Sequence, residues 1–151
     1  MLPPIEMAAR LGLATLIGAL VGLNRDLHDK PAGLRTHALM ALGAALAIVV
    51  AEMLAVSGGN TADAVSRVTQ GLVAGVGFIG GGLILRAPDQ HRVHGLTTAA
   101  GLWATAVFGA ACGAGAFVPV GIAFGLLSLV LMLGGGVEKF VHERLRPPAP
   151  P

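Results

Sequence analysis

Five long apolar runs, separated by short clusters of charge, constrain this chain more than any other feature. They are Ile5–Leu23, His37–Val56, Val68–Leu85, Leu96–Gly113 and Phe117–Gly136. At 1.5 Å per residue, a helix of this length measures about 27–30 Å, which matches the roughly 30 Å hydrocarbon core of a bilayer. Only 12% of the residues are charged, whereas soluble domains carry about 25%. The sequence therefore predicts an all-α polytopic membrane protein with five transmembrane helices.

The two ends of the chain differ from these runs. The first run is expected to remain as a permanent helix, because no small-x-small cleavage pattern precedes its charged flank. Residues 137–146, VEKFVHERLR, are typical of a short interfacial helix or of an extension of the fifth span. Residues 147–151 are almost entirely Pro and predict an unstructured end. We therefore divide the chain into a transmembrane domain, residues 1–136, and a short amphipathic helix with a Pro-rich tail, residues 137–151.

The positive side chains predict the orientation. Five crossings place the first connection, the third connection and the tail on one side, and these regions hold eight of the ten Lys and Arg: Arg25, Lys30, Arg35, Arg86, Arg92, Lys139, Arg144 and Arg146. Arg10 and Arg67 remain for the other side. Because positive residues favour the cytoplasm, we expect a periplasmic N-terminus and a cytoplasmic C-terminus. The same bias explains the net charge of +2 without a nucleic-acid partner.

The two halves of the chain form a parallel repeat. The connection in Gly22–Met40 ends in Gly33-Leu34-Arg35-Thr36-His37-Ala38, and the one in Arg86–Trp103 ends in Gly95-Leu96-Thr97-Thr98-Ala99-Ala100. Each leads into an apolar run, so both predict a helix N-terminus on the cytoplasmic side. Several of the 23 glycines recur at four-residue spacing, as at Gly71 and Gly75, Gly109 and Gly113, and Gly121 and Gly125. Such spacing lets membrane helices approach closely and predicts a tight bundle.

Helix N-termini carry unsatisfied N–H groups and the positive end of the helix dipole. Together with arginine and hydroxyl groups they form anion sites, so a phosphate, a carboxylate or an anionic headgroup is the expected ligand. The alternative is topological anchoring, with aspartates pairing internally and threonines capping the helices. The candidate binding residues are Arg25, Asp26, Lys30, Arg35, Thr36, His37, Arg86, His94, Thr97 and Thr98.

We expect no enzyme, no cofactor and no metal centre. His91 and His94 lack the Cys or carboxylate partners of a zinc site. The acids within the spans, Glu6 and Glu52, lie near the outer surface rather than at the midplane, where transporters place ion sites. Cys112 lies across the membrane from every histidine, which favours a packing role over a thiol nucleophile.

Arg10 is the charge most deeply embedded in an apolar run. Glu6 lies one turn earlier and can pair with it, while the long side chain can also snorkel outward. A charge within a span is by default a functional suspect, so a functional role and a structural pair both stay open.

Three motifs resemble the MgtC/SapB family of bacterial inner-membrane proteins. They are GLNRDLHDKPAGLRTHALMALGAAL, GLVAGVGFIGGGLILR and VHGLTTAAGLWATAVFGAACG, and the match covers roughly residues 8–135. The resemblance implies a five-helix membrane domain and a role in growth under magnesium limitation. In pathogen members it implies survival inside macrophages, attributed to inhibition of the F-type ATP synthase rather than to magnesium transport. The residues that match motif positions are Arg25, Asp26, Lys30, Gly33, Arg35, Thr36, Arg86, Gly95, Thr97, Thr98 and Trp103.

Two departures limit what the resemblance implies. The family motif commonly has Glu-Arg-Glu where this chain has Asn24-Arg25-Asp26, which puts a role for the first carboxylate in doubt. The virulence members also carry a C-terminal domain resembling ligand-binding ACT domains, which this sequence lacks. Regulation through that domain and a virulence role are therefore not carried over.

The expected function is regulatory. The protein would respond to low magnesium or acid and act through a membrane partner, by resemblance the F-type ATP synthase, in contact with membrane lipids and with a homodimer as a further option. The alternative is a transporter or channel for magnesium or a small anion, with its path at a homodimer interface. Cytoplasmic histidines would contribute any pH dependence.

Overall fold

The computed structural model describes residues 2–55, 59–84 and 95–145 and contains five helices there: α1 (Pro4–Asp26), α2 (Leu34–Ala55), α3 (Thr61–Ile84), α4 (Leu96–Gly113) and α5 (Phe117–Leu145). Each of the five is long and apolar enough to cross a membrane. The predicted all-α architecture with five membrane-spanning helices is confirmed.

Several helix bounds differ from the predicted spans. Helix α2 begins at Leu34 rather than at His37, because the Asp26 carboxylate caps its first turn. Helix α3 begins at Thr61 rather than at Val68, and its charged first turns are exposed and joined by an Asp63–Arg67 pair at 3.0 Å. Helix α5 runs without a break to Leu145, so the residues after Gly136 extend the fifth helix instead of forming a separate one. The Pro-rich tail lies outside the described residues.

Helices α2 and α4 lie at the centre of the bundle and run parallel to each other. Helix α1 packs against both of them on one side and α3 packs against both on the other, each antiparallel to its neighbours. Helix α5 lies at the periphery, where Phe124 meets Phe108 of α4 edge to face at 6.2 Å. We call the end of the bundle that holds Arg25, residues 27–33 and Gly95 the hairpin end, and the opposite end the far end.

Glycines let the central helices approach one another closely. A Cβ at Gly22 would lie 2.5 Å from Leu34 Cα, and a Cβ at Gly113 would lie 2.5 Å from the Ala45 carbonyl oxygen. Gly18 and Gly109 make equally tight contacts with the backbones of His37 and Ala41. The glycines on the outer helices differ, since nothing lies within 4 Å of a Cβ placed at Gly71, Gly75, Gly121 or Gly125. The predicted close approach therefore holds for α1 and α4 and, at Gly80 against Ala99, for one glycine of α3, whereas Gly71, Gly75, Gly121 and Gly125 face open space.

The middle of the bundle is mainly apolar, and the buried polar side chain described there, Thr105 of α4, donates to the Gly101 carbonyl oxygen of its own helix. Its largest core cluster contains only hydrophobic buried residues: Ala14, Ile17, Ala41, Ala45, Phe108, Cys112 and Val120. Cys112 is fully buried and free, in agreement with the packing role expected for it. Most of the buried polar and charged side chains lie nearer the two ends, with Arg10 at the far end and Arg25, His37 and Thr98 toward the hairpin end.

Candidate functional site

The α1–α2 connection is built on Asp26. Its Oδ2 accepts a hydrogen bond from the Leu34 N–H at 2.9 Å and so caps the N-terminus of α2. Gly33 lies so close to this carboxylate that a Cβ at residue 33 would overlap Asp26 Oδ1. Asp26, predicted as a ligand-binding candidate, here holds the hairpin together, and Gly33 makes room for it.

Backbone hydrogen bonds order the rest of this connection. The Lys30 N–H donates to the Arg25 carbonyl oxygen at 3.0 Å, and His28 Nδ1 lies 2.7 Å from the Asn24 carbonyl oxygen. Asp29 adopts a left-handed conformation with φ 52°, which aspartate tolerates better than most residues. The connection is therefore a defined turn that fixes the position of Arg25 relative to α2.

Arg25 lies in the last turn of α1, and its side chain is buried in the bundle. It is only 7% exposed, and its Nη2 donates to Thr98 Oγ1 in the first turn of α4. Thr98 is itself 3% exposed. The Arg25 Nε is enclosed and has no hydrogen-bond partner among the residues that the structure describes. The site thus contains a buried guanidinium with one unused donor, Nε.

His37 lies one turn into α2 and is fully buried. Its Nδ1 is 3.2 Å from the Gly33 carbonyl oxygen, which can only accept, so the neutral ring carries its proton on Nδ1. Nε2 is then an acceptor, and it has no partner in the described part of the chain. It faces α4 beside Gly101, where a Cβ would lie 3.6 Å from it. Two buried side chains with unpartnered nitrogens therefore converge on the first turns of α4.

The N-termini of α2 and α4 differ in how they are capped. Asp26 caps α2. Helix α4 follows Gly95, which adopts φ 88° and offers no side chain for a cap, and the first intrahelical bond runs from Ala99 N–H to the Gly95 carbonyl at 2.8 Å. The amides before Ala99 have no intrahelical acceptor. Thus α4 presents an uncapped N-terminus beside Arg25.

The structure gathers only part of the predicted set. Arg25, His37 and Thr98 come together in the interior, while the side chains of Lys30, Arg35, Thr36 and Thr97 are exposed at the same end. The remaining two candidates, Arg86 and His94, lie outside the described residues.

The far end contains a polar cluster that the sequence analysis identified only in part. Arg10 donates to Glu6 at 2.6 and 3.2 Å, as the i, i+4 spacing predicted, but also to Glu52 at 2.9 Å and to the Gly113 carbonyl oxygen at 2.7 Å. The cluster therefore joins α1, α2 and α4. The signal that could have found it is that Glu52 is the other acid placed within a span at that side of the membrane.

Metal ligands do not cluster in the part of the chain that the structure describes. No group of three or more His, Cys, Asp or Glu side chains there is placed to hold a metal ion. The chemistry available at the hairpin end is that of an arginine, a hydroxyl and backbone amides.

Comparison with known proteins decides the family. The model of the MgtC family matches residues 11–140, which overlap all five described helices and include both connections of the repeat. The chain belongs to the MgtC family. Because its five apolar helices are each long enough to cross a membrane, this member is a multi-pass membrane protein.

Individual relatives support the assignment. Protein SrpB of Synechococcus elongatus is 46% identical over 134 residues, which are 83% of this chain and 74% of the relative. Protein MgtC of Brucella abortus is 42% identical over 113 residues, 75% of this chain and 44% of the relative. Protein MgtC of Salmonella typhimurium is 42% identical over 104 residues, 69% of this chain and 42% of the relative. The chain therefore spans less than half the length of these MgtC relatives. No solved structure matches it.

Proposed function

We propose that this MgtC-family protein is a regulator in the bacterial inner membrane, linked to adaptation to low magnesium or acid. It acts by binding a membrane partner, the F-type ATP synthase by family resemblance, and catalyses no reaction. The magnesium link rests on membership of the MgtC family and on the MgtC relatives. The excess of positive residues in the connections at the hairpin end supports a cytoplasmic position for that end.

The apolar middle of the bundle is the observation that carries this proposal. A transporter or channel needs polar groups near the bilayer midplane to replace the water around an ion. Here the largest core cluster is hydrophobic, and the buried Thr105 hydroxyl already donates to the Gly101 carbonyl oxygen of its own helix. Glycine contacts bring the central helices within van der Waals distance. A single protomer of this kind favours a binding role over a transport path.

The outer helices supply a surface for a partner. Helices α3 and α5 carry glycines with open space around them, including Gly75 and Gly121. Membrane helices associate through small residues of this kind, because lipid supplies no hydrophobic drive for their contact. A helix of the partner, or a second copy of this chain, fits such a face.

Reconstitution tests the proposal. The purified protein is placed in liposomes with an F-type ATP synthase, and ATP-driven proton pumping is followed together with an internal magnesium dye. We expect pumping to fall as the protein is added, and magnesium entry to equal that of vesicles without it. Gly75→Leu and Gly121→Leu should weaken the inhibition, because leucine fills the open faces. Gly12→Leu, at an equally open position of α1, is the matched control and should inhibit like the unaltered protein.

Two results would contradict this function. Saturable magnesium flux would make the protein a transporter, above all if Arg25→Gln abolished it. Unchanged proton pumping at excess protein would remove the ATP synthase as the partner.

A further inference from the structure

The charge of Arg25 is not balanced within the described residues. Burying a cation is costly unless an anion and hydrogen bonds compensate for the lost water. The ion pairs of the described chain involve Arg10 and Arg67 and not Arg25. Asp26, the next residue along the chain, accepts from Leu34 in α2. Thr98 supplies a hydroxyl, which is neutral.

The position of Arg25 adds to this imbalance. Its guanidinium reaches Thr98 in the first turn of α4, at the positive end of the dipole of that helix. The C-terminus of α1 offsets part of the charge, since Arg25 lies in the last turn of that helix. No side chain among the described residues caps α4, so the free amides of its first turn lie at the same end of the bundle as the unpartnered Nε of Arg25.

The unpartnered Nε of Arg25 indicates that the site requires an acceptor. The side chain is more than nine-tenths buried, yet Nε has no acceptor. Buried polar groups are paired in nearly all folded proteins, and an exception requires a reason. The donor edge of arginine matches an oxoanion, because two N–H groups can meet two oxygens of one anion.

We infer that the first turn of α4, together with Arg25 and Thr98, binds one phosphate group. Phosphate offers several acceptor oxygens, which suit a guanidinium, a hydroxyl and the amides of a helix N-terminus. The site lies at the end of the bundle, where membrane-spanning helices meet the headgroup layer, so the group belongs to a lipid headgroup or to free phosphate. His37 is not part of the proposed site, because its Nε2 lies beside Gly101, about one turn further along α4 than Thr98. The site goes beyond the proposed regulatory function and does not depend on the identity of the partner.

Binding by delipidated protein in a neutral detergent tests this inference. Labelled orthophosphate is measured by equilibrium dialysis, and phosphatidylglycerol is measured by native mass spectrometry, with diacylglycerol as the lipid that lacks phosphate. One of the two phosphate compounds should bind once per chain, and diacylglycerol should not bind. Which of them binds identifies the source of the phosphate group.

Variants at the hairpin end decide whether the site is specific. Arg25→Gln should weaken binding at least about tenfold, because a charge-assisted pair is lost. Arg35→Gln removes the same charge from an exposed residue of the same end, and should change binding by less than about twofold because exposed charges are screened. Thr98→Val keeps the shape of the side chain and should also weaken binding, which tests the site even if Arg25→Gln fails to fold.

Two outcomes would overturn the inference. One is that neither orthophosphate nor phosphatidylglycerol binds at millimolar concentration. The other is that Arg35→Gln weakens binding as much as the Arg25 and Thr98 variants do, which would reveal general attraction to a basic surface.

Discussion

Helix α1 carries a buried arginine near each end, and the two differ in their partners. Arg10 is 9% exposed and donates to two carboxylates and one carbonyl oxygen. Arg25 is 7% exposed and, within the described residues, donates to the Thr98 hydroxyl alone. A buried charge is tolerated when it is paired and costly when it is not. The first arginine therefore joins three helices, and the second is retained in spite of its cost.

This difference separates structure from function along one helix. Proteins break their own packing and pairing rules chiefly at functional sites, and the stability lost there is recovered elsewhere. At the far end the Arg10 cluster supplies that stability. At the hairpin end close backbone contacts and the Asp26 cap supply it, so that Arg25 is free to serve a ligand.

The largest effect should follow from breaking the far-end cluster. Arg10→Met leaves Glu6, Glu52 and the Gly113 carbonyl without their donor, and should lower the free energy of unfolding by about 3–5 kcal/mol. Circular dichroism of the purified protein in bicelles, titrated with dodecyl sulfate, measures this change. Arg67→Met is the control at the same end, because the Arg67–Asp63 pair is exposed on both sides and such pairs contribute little. Equal stability of the two variants would show that the far-end cluster does not stabilise the bundle.

A smaller effect should follow from crowding the hairpin end. Gly22→Ala places a methyl group against Leu34 Cα and the Gly33 backbone, and such overpacking should cost about 1–3 kcal/mol. Gly12→Ala lies on the same helix with nothing within 4 Å, so it should leave stability unchanged or raise it slightly. The same titration compares the two. If Gly22→Ala behaves like Gly12→Ala, close packing does not hold this end together.

The Asp26 cap should contribute somewhat less to the free energy of unfolding than the close packing at Gly22. Asp26→Ala removes the acceptor for Leu34 N–H and should cost about 0.5–2 kcal/mol, as other N-cap deletions do. Gly33→Ala disrupts the same cap by displacing the carboxylate, so the double variant should cost clearly less than the two single changes added together. A double-mutant cycle of unfolding free energies measures this coupling. Additive losses would show that the two residues act independently.

Much of the fold could be predicted from hydropathy, because a membrane-spanning helix needs a long apolar run and each of the five predicted runs forms such a helix. The starts of α2 and α3 could not. The cap of α2 comes from Asp26, which accepts a hydrogen bond from the N–H of Leu34, eight residues later in the chain. The charged first turns of α3 lower its hydropathy, so the apolar run alone does not reveal that the helix begins at Thr61.

The candidate site could be predicted only as a region. Arg25 and Thr98 belong to different repeats, and they meet because α1 packs against α4 as well as against α2. Neither spacing nor motif specifies that contact. The same packing brings Glu52 to Arg10 across 42 positions of sequence, so the second carboxylate of the far-end cluster was not foreseen.

The most direct test of the central claim is the stability of Arg25→Met measured beside Arg10→Met in the same bicelles. Methionine fills much of the volume of arginine without its charge, and replacing a poorly paired buried ion in this way is often neutral or stabilising. We therefore expect the free energy of unfolding of Arg25→Met to lie within about 1 kcal/mol of that of the unaltered protein, whereas Arg10→Met should lose several times as much. If Arg25→Met lost as much stability as Arg10→Met, the result would contradict this claim, because Arg25 would then stabilise the fold as Arg10 does.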